Sequence, residues 1–251
     1  MTTLRSDQPH RYFFVHIMRT AGTALRERLL NHFGRTAVYP TKGLDGPDPV
    51  RLYVPSVDLI RERLEARGDQ IRVITGHLPL RTVELIEGRY TAFTLLREPV
   101  ERMLSYLRQR RGKHGSHESQ PLEEAYDGLY GLADNNMTKM LSLTPAEMTD
   151  SLFTGVEVDH DHVERAKEAL AGMAAVGLQE QFDDFCDRLA ARFGWRLGEP
   201  ETVNPTAPVD VPESLRDRIA EDNALDVELY EFAKELVAAD HTHLETVGME
   251  Q

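Results

Sequence analysis

The sequence predicts an α/β fold with three layers, in which helices cover both faces of a mostly parallel central sheet. Short apolar segments alternate with longer amphipathic segments along the chain, a pattern typical of strands joined by helices. The apolar segments are nearly continuous in hydrophobicity, as expected for strands buried on both faces. Two of them end in polar turns, and ligands of such sheets bind outside the carboxyl ends of the strands.

The composition indicates one globular domain over residues 1–251, with flexible ends at 1–10 and 239–251. Of the 251 residues, 41% are hydrophobic and 28% are charged, which is ordinary for a globular protein. No apolar run reaches the ~18 residues of a membrane span, and residues 1–10 lack the apolar core of a signal peptide. Cys186 is the only cysteine, so an intrachain disulfide is excluded. We therefore expect a cytoplasmic protein.

The formal net charge of −13 argues against nucleic acid or an anionic membrane as the main partner. We interpret the basic residues within 108–113 as a helix end whose dipole they complement, rather than as a groove for a polyanion. The pairs His160/His162 and His241/His243 lack further ligands at a recognised metal spacing, so no metal is expected. The sequence does not indicate an oligomeric state.

The first predicted strand, at 12–17, leads into a polar turn and then into a helix near 22–33. The turn reads Arg19-Thr20-Ala21-Gly22-Thr23. Such a turn presents backbone N–H groups and the positive end of a helix dipole to an anion. Gly22 allows close approach of the backbone to a ligand, and Arg19 adds a forked cation suited to phosphate or sulfate. The pattern differs from the nucleotide-triphosphate loop, which needs a second glycine and a Lys-Ser or Lys-Thr pair.

The middle of the chain supplies a candidate general base. Residues 34–58 are rich in glycine and proline and are expected to form a loop. A helix near 56–67 and a strand near 71–75 follow, so His77 is expected at the same sheet edge as the phosphate turn. A histidine has an unperturbed pKa suited to a general base. The alternative is that His77 only hydrogen-bonds a loop.

A second phosphate motif follows the strand predicted at 92–96. Arg97 stands at the end of that strand, and Pro99 suits the first turn of a helix over 99–110. Ser105 lies two turns along the chain from Arg97, where its hydroxyl is able to point back toward the guanidinium. These residues form a plausible second phosphate site. The alternative is that Arg97 caps a helix and Ser105 is a surface serine.

The remaining segments predict helices and one short strand. Residues 112–121 are polar and turn-rich and are a candidate for a mobile lid. The predicted elements are helices at 122–141, 145–152, 160–173 and 180–193, a strand at 174–178, and two helical patterns within 212–238.

Both motifs resemble those of sulfotransferases that use 3′-phosphoadenosine 5′-phosphosulfate (PAPS). The segment His16-Ile17-Met18-Arg19-Thr20-Ala21-Gly22-Thr23 resembles the 5′-phosphosulfate loop H-I-P-K-T-A/G-G-T. That loop is found in the branch that includes the heparan sulfate 2-O-sulfotransferases and related bacterial proteins. Met18 and Arg19 stand where the family usually has Pro and Lys. The second motif resembles the 3′-phosphate site L-L-R-D/E-P-V-E-R-x-x-S, and the resemblance implies a P-loop-like fold.

The resemblance continues downstream and extends over about residues 12–238. Residues 176–182 resemble the V-G-L-x-E-x-F segment near the adenine, Asn204-Pro205-Thr206 resembles a loop that closes on the nucleotide, and 225–233 resembles the terminal helix. It implies PAPS as the cofactor and 3′-phosphoadenosine 5′-phosphate (PAP) as its product. The implied contacts come from Arg19, Thr20, Ala21, Gly22, Thr23, Ala24, Arg97, Ser105, Gly177, Leu178, Asn204 and Thr206.

The resemblance also implies in-line transfer of a sulfuryl group to a hydroxyl of a small-molecule or saccharide acceptor. Arg19 is the candidate for stabilising the leaving 5′-phosphate. His77 lies in a segment that resembles the Gly-His segment carrying the family's base, and Glu98 is a fallback. Residues 134–139 resemble a segment near the acceptor pocket, or else form an exposed helix face. The predicted acceptor contacts are His77, Glu98, Asn135 and Lys139.

The sequence leaves two other functions open. Met18 and Arg19 motivate a catalytically altered or inactive protein on the same fold, which would bind PAP without turnover. A nucleotide-dependent kinase on a similar strand, loop and helix is the other alternative, and the missing lysine of the nucleotide-triphosphate loop argues against it.

Overall fold

The central sheet contains five parallel strands. They belong to a computed structural model that describes residues 10–45, 56–113, 121–128, 133–148, 156–198 and 211–248, with the backbone alone for 111–113 and 241–248. The strands are β1 (His10–Val15), β2 (Val38–Tyr39), β3 (Val73–Gly76), β4 (Arg89–Leu96) and β5 (Ala175–Leu178). Their spatial order is β2-β3-β1-β4-β5, which puts β1 in the middle.

Helices connect the strands and cover both faces of the sheet. In chain order they are α1 (Gly22–Phe33), α2 (Val57–Arg67), α3 (Pro99–Lys113), α4 (Leu122–Asp127), α5 (Asn136–Ser142), α6 (His160–Ala171), α7 (Phe182–Phe193), α8 (Glu213–Asp222) and α9 (Ala224–Gly248). Short 3₁₀ turns occupy Leu80–Glu84 and Gln179–Gln181. Within the described residues, no helix combines the length and the apolar character needed to cross a bilayer.

Alternate residues of each strand point into different layers, as the two-residue period of a strand requires. Phe13 and Ile74 are buried on one face of the sheet, in a cluster with side chains of α2, α5, α6 and α9. Phe14 and Val73, one residue away in each strand, are buried on the other face against α1 and α7. The predicted three-layer α/β/α arrangement with a parallel sheet is therefore confirmed.

The loop predicted over 34–58 contains an edge strand. Val38 and Tyr39 pair in parallel with Val73 and Ile74. A strand of two residues is too short to give a periodic pattern, so the turn residues around it dominated the prediction. The other predicted strands form close to their predicted positions.

The single helix predicted at 122–141 is wrong, because α4 and α5 replace it. Asn135, immediately before α5, has a φ of 44°, which is the left-handed geometry that asparagine adopts more readily than most residues. The helix predicted at 145–152 is also wrong in its described part. The chain there forms turns, in which the Glu147 carboxylate accepts hydrogen bonds from the backbone and hydroxyl of Thr144.

The other predicted helices are confirmed, and α9 continues past the predicted end at 238 to Gly248. Most of the candidate lid, residues 114–120, lies outside the described residues. The same is true of Asn204 and Thr206 in the loop expected to close on a nucleotide.

A buried ionic network joins α3, α5 and the start of α9. The fully buried carboxylate of Asp226 accepts hydrogen bonds from the N–H groups of Met137 and Thr138, at 3.1 and 2.8 Å, and from the Thr138 hydroxyl at 2.8 Å. Arg102, also fully buried, donates to the Ala133 carbonyl at 2.8 Å and lies 3.5 Å from the same carboxylate. Buried charges require such partners, because each leaves water at considerable cost.

Replacing Asp226 with alanine should therefore destabilise the protein severely. The Asp226→Ala variant leaves the Arg102 cation buried without its counter-charge, and we expect a loss of about 3–5 kcal/mol in the free energy of unfolding. Urea denaturation followed by circular dichroism measures it. Asp58→Ala is the matched control, because Asp58 also lies in the first turn of a helix but is exposed, and its loss should stay below about 1 kcal/mol. Equal losses would show that the buried network contributes little.

Candidate functional site

The candidate site lies where four parallel strands end at one edge of the sheet. Val15 of β1 is in register with Gly76 of β3 and with Thr94 of β4. The segments that follow these strands therefore leave the sheet close to one another. They carry the phosphate turn, His77 and Arg97, and β5 ends beside β4.

The phosphate turn has two non-glycine residues in left-handed geometry. Arg19 has a φ of 68° and Ala21 a φ of 64°. Between them, the fully buried Thr20 turns its hydroxyl inward and donates to the Ile17 carbonyl at 3.0 Å. The Thr20 hydroxyl is thus engaged within the turn, and the predicted contact of Thr20 with a ligand would come from its main-chain N–H group, as in anion-binding turns.

Helix α1 begins directly after this turn. The N–H of Leu25 donates to the Ala21 carbonyl at 3.2 Å, so the amides of residues 22–24 precede the intrahelical ladder, as the first amides of every helix do. They stand at the positive end of the helix dipole. This arrangement fits the predicted role of residues 20–24 in holding a phosphate or sulfate group.

Gly22 is required for a reason that the sequence did not indicate. A Cβ atom at this position would lie 2.0 Å from Cδ2 and 2.2 Å from Nε2 of His16. The imidazole of His16 therefore occupies the space next to the first residue of α1. Close approach of a ligand is a second and separate reason for a glycine here.

The two phosphate motifs meet through a direct side-chain contact. Nε and Nη2 of Arg19 both donate to the Ser105 hydroxyl, at 3.0 and 2.8 Å, across 86 residues of sequence. Arg97 donates from Nη1 to the Arg19 carbonyl at 3.3 Å. Burial, and then the neighbouring Arg97 charge, lower the pKa of Arg19 from its usual value. Two cationic side chains that interact in this way favour an anion with more than one negative charge.

Arg97 has a side-chain donor that the described residues leave unsatisfied. Its Nε is buried and has no hydrogen-bond partner within the described part of the chain. A buried cationic donor without an acceptor is costly, and a phosphate oxygen would supply the acceptor. Arg97 and Ser105, the residues of the predicted second phosphate site, thus both contact Arg19, one at its carbonyl oxygen and the other at its guanidinium.

The carboxylates around Arg97 are held by other donors. Glu98 accepts hydrogen bonds from the N–H groups of Val100 and Glu101, at 3.1 and 2.7 Å, and so caps α3. Glu180 accepts from the Glu98 N–H at 3.1 Å and from the Tyr230 hydroxyl at 2.9 Å. Glu180, just after β5, is thereby hydrogen-bonded to the residue that precedes α3, a link that the sequence did not indicate. With both oxygens engaged as a helix cap, Glu98 is a weaker candidate for a base than His77.

His77 has the geometry of a base with a fixed tautomer. Its Nδ1 lies 2.7 Å from the His16 carbonyl oxygen. A carbonyl only accepts, so Nδ1 carries the hydrogen and Nε2 carries the lone pair in the neutral ring. Burial lowers the pKa of His77, and the hydrogen bond to His16 opposes part of that shift. At neutral pH the ring is therefore in its basic form.

The predicted acceptor residues Asn135, just before α5, and Lys139, within it, make contacts inside the protein itself. Asn135 accepts from the Asp226 N–H at 3.0 Å and donates to the Asp222 carbonyl at 3.2 Å. The ammonium of Lys139 is 3.2 Å from Asp134, and only 3% of the Lys139 side chain is exposed. This cluster is thus not the exposed helix face that the sequence left as an alternative. Contact of Asn135 and Lys139 with an acceptor stays a prediction.

Gly177, a predicted nucleotide contact, is constrained by packing inside the sheet. It pairs with Leu95 on β4, and a Cβ atom here would lie 2.3 Å from the ring of Phe185 on α7. The neighbouring Leu178 is buried. Among the described residues, no group of three or more His, Cys, Asp or Glu side chains is arranged to hold a metal ion.

The fold is similar to that of a solved sulfotransferase from Alicyclobacillus acidocaldarius. The two share 16% sequence identity, with a TM-score of 0.50, over 89% of this chain and 94% of the other. At this identity the likeness establishes a sulfotransferase-like fold and nothing finer. No family model matches the chain, and no curated protein matches it.

We expect the Gly177→Ala variant to be destabilised by about 1–3 kcal/mol, because the added methyl group overpacks the contact with Phe185. Thermal or urea unfolding measures the change. Gly172→Ala is the matched control, since its nearest neighbour would be at an ordinary 3.5 Å. Combining Gly177→Ala with Phe185→Leu should restore part of the lost stability. An unchanged unfolding midpoint for Gly177→Ala alone would contradict the packing argument.

Proposed function

We propose that this protein is a PAPS-dependent sulfotransferase that acts on a hydroxyl group of a small molecule or saccharide. We place it nearest to the branch that includes the heparan sulfate 2-O-sulfotransferases and related bacterial enzymes. The observation that carries the proposal is the contact of Arg19 with Ser105. It brings two phosphate motifs together at the edge where parallel sheets bind ligands.

The residues present fit the nucleotide that this fold implies. The turn with its left-handed Arg19 and Ala21 and the first amides of α1 would hold the 5′-phosphosulfate. The buried Arg97 Nε and the Ser105 hydroxyl would hold the 3′-phosphate. Gly177 and Leu178 would lie near the adenine, and Asn204 and Thr206 would complete the site. When bound, PAPS supplies the activated sulfuryl group.

The chain's own residues supply charge, orientation and a proton acceptor. Arg19 keeps its proton under all ordinary conditions, so it contributes charge and two directed donors rather than acid catalysis. Such donors are effective because they are oriented before the reaction begins. His77 offers the Nε2 lone pair to the acceptor hydroxyl, while its Nδ1 hydrogen is held by His16. In-line displacement then requires only that the acceptor oxygen be positioned behind the sulfur.

A PAP-binding protein without turnover is the second candidate. The observation that favours it is the same contact, because both Nε and Nη2 of Arg19 are directed at Ser105 and a planar guanidinium is less adaptable than an ammonium group. A calorimetric titration with PAP beside ATP, without metal, tests both candidates at the level of binding. PAP-selective binding supports both, and turnover of PAPS separates them. Selectivity for ATP would contradict both and favour a kinase.

Arg97→Ala should weaken PAP binding on the order of 10- to 100-fold, because it removes a charge-assisted hydrogen bond to the 3′-phosphate. Binding of adenosine 5′-monophosphate, which lacks that phosphate, should change little. Isothermal titration calorimetry measures both affinities. Arg61→Ala is the control, because Arg61 is exposed and pairs with Asp58. Equal losses for the two nucleotides would overturn the assignment of Arg97 to the 3′-phosphate.

His77→Asn should lower turnover on the order of 10²- to 10⁴-fold, because asparagine keeps a donor for the His16 carbonyl but has no basic nitrogen. PAP affinity should stay close to that of the wild type. Release of PAP from PAPS, measured with a panel of phenol and monosaccharide acceptors, gives the rate.

The pH profile of the wild type gives a second reading of the same role. Burial lowers the pKa of His77, so the ring loses its proton below the ordinary histidine value of about 6.5. Turnover should therefore be flat above that pH and fall only in more acidic solution. A rate that keeps rising between about pH 7 and 9 would exclude His77 as the base.

A further inference from the structure

His16 lies between the phosphate turn and the proposed base. It follows β1 directly, and 4% of its surface is exposed. Its ring stacks on Phe14 with centroids 5.3 Å apart and an angle of 11°, and it lies 4.6 Å from the ring of His77. Burial lowers the pKa of His16 well below its ordinary value, and the charges of His77 and Arg26 lower it further. The imidazole is therefore neutral.

The side chain of His16 lies directly against the first residue of α1. Its ring occupies the position of a Cβ on Gly22, as described above. The turn that precedes Gly22 holds Arg19 and Ala21 in left-handed geometry, which is unfavourable for residues other than glycine and persists only where the surroundings enforce it. The His16 ring is part of those surroundings, because it lies against Gly22 at the end of the turn.

The backbone and ring of the same residue also fix His77. The carbonyl oxygen of His16 accepts a hydrogen bond from Nδ1 of His77 and so sets the tautomer of the His77 ring. The ring of His16 also packs against the ring of His77, with centroids 4.6 Å apart, and burial lowers the pKa of His77. One residue therefore contacts both the anion-binding turn and the base, on its two different sides.

We propose that His16 is a positioning residue that couples the geometry of the phosphate turn at Gly22 to the orientation of His77. This inference rests on the proposed function of that site. The contacts that carry the coupling are those of the ring with Gly22 and with His77, and the Nδ1 of the ring has no hydrogen-bond partner among the described residues. A displacement of the turn is transmitted through the ring to His77 rather than through the solvent.

A double-mutant cycle tests the coupling. Gly22→Ala forces the His16 ring to move, so PAP affinity should fall more than tenfold and the His77 ring should be displaced. In the His16→Ala background the methyl group no longer meets the imidazole, so the added loss caused by Gly22→Ala should shrink to the part that comes from the methyl group's own approach to the ligand. Calorimetry with PAP gives the four affinities. Independent, additive losses would overturn the proposal.

The coupling in the same double-mutant cycle can also be measured without any nucleotide. Nitrogen-15 spectra of histidine-labelled protein report the tautomer and the titration of each ring, and the His77→Asn variant identifies the His77 signals. Gly22→Ala should shift the His77 signals in the wild-type background but not in the His16→Ala background. In His16→Ala the titration of His77 should move up toward the ordinary histidine value, because water reaches the ring. Unchanged His77 signals in both single variants would overturn the proposal.

His16→Phe separates shape from polarity and covers the case in which His16→Ala does not fold. It keeps a planar ring against Phe14, Gly22 and His77, so PAP affinity should stay within about threefold of the wild type and turnover should persist. A folded His16→Phe variant that has lost both would contradict the role of the ring shape. If wild-type protein does not bind PAP, the proposed function fails, while the nitrogen-15 spectra of Gly22→Ala still decide whether His16 couples the turn to His77.

Discussion

The candidate site depends on the central position of β1, which is paired in parallel on both sides. Val15 meets Gly76 and Thr94 at the same level of the sheet, and the Thr94 hydroxyl donates to the Val15 carbonyl at 2.9 Å. This register fixes where three segments leave the sheet. Arg19 and Ser105, which are far apart in sequence, meet because the strands that precede them, β1 and β4, end side by side. Any slip of the register would separate them.

The helices around the site are held by buried polar groups rather than by apolar packing alone. Asp226 caps α5 and approaches Arg102, which lies one turn before Ser105 on α3. Asn135 ties the start of α5 to the junction of α8 and α9. Networks of this kind are costly when incomplete. They therefore hold the helix carrying Ser105 in one position relative to the helix carrying Lys139.

The sequence predicted the layer order, most of the elements and the residues at the sheet edge, because apolar periodicity and strand ends are local signals. It did not predict β2, which is too short to have a period, or the break at Asn135, which depends on one residue in left-handed geometry. The contact of His16 with Gly22 was also missed. The sequence explains a glycine at position 22 by close approach of a ligand. The second reason, the space taken by the His16 ring, can be seen only in the folded chain.

The acidic character of the chain does not conflict with an anion site at this edge. The formal net charge is −13, but charges beyond the Debye length of about 8–10 Å are largely screened at ordinary ionic strength. The potential at the site is set by Arg19 and Arg97, which touch, and by carboxylates nearby. Glu98 and Glu180 each accept hydrogen bonds from backbone or hydroxyl groups, so their negative charge is partly compensated where it would oppose a phosphate. Local groups, and not the total charge, therefore set the electrostatic potential at this edge of the sheet.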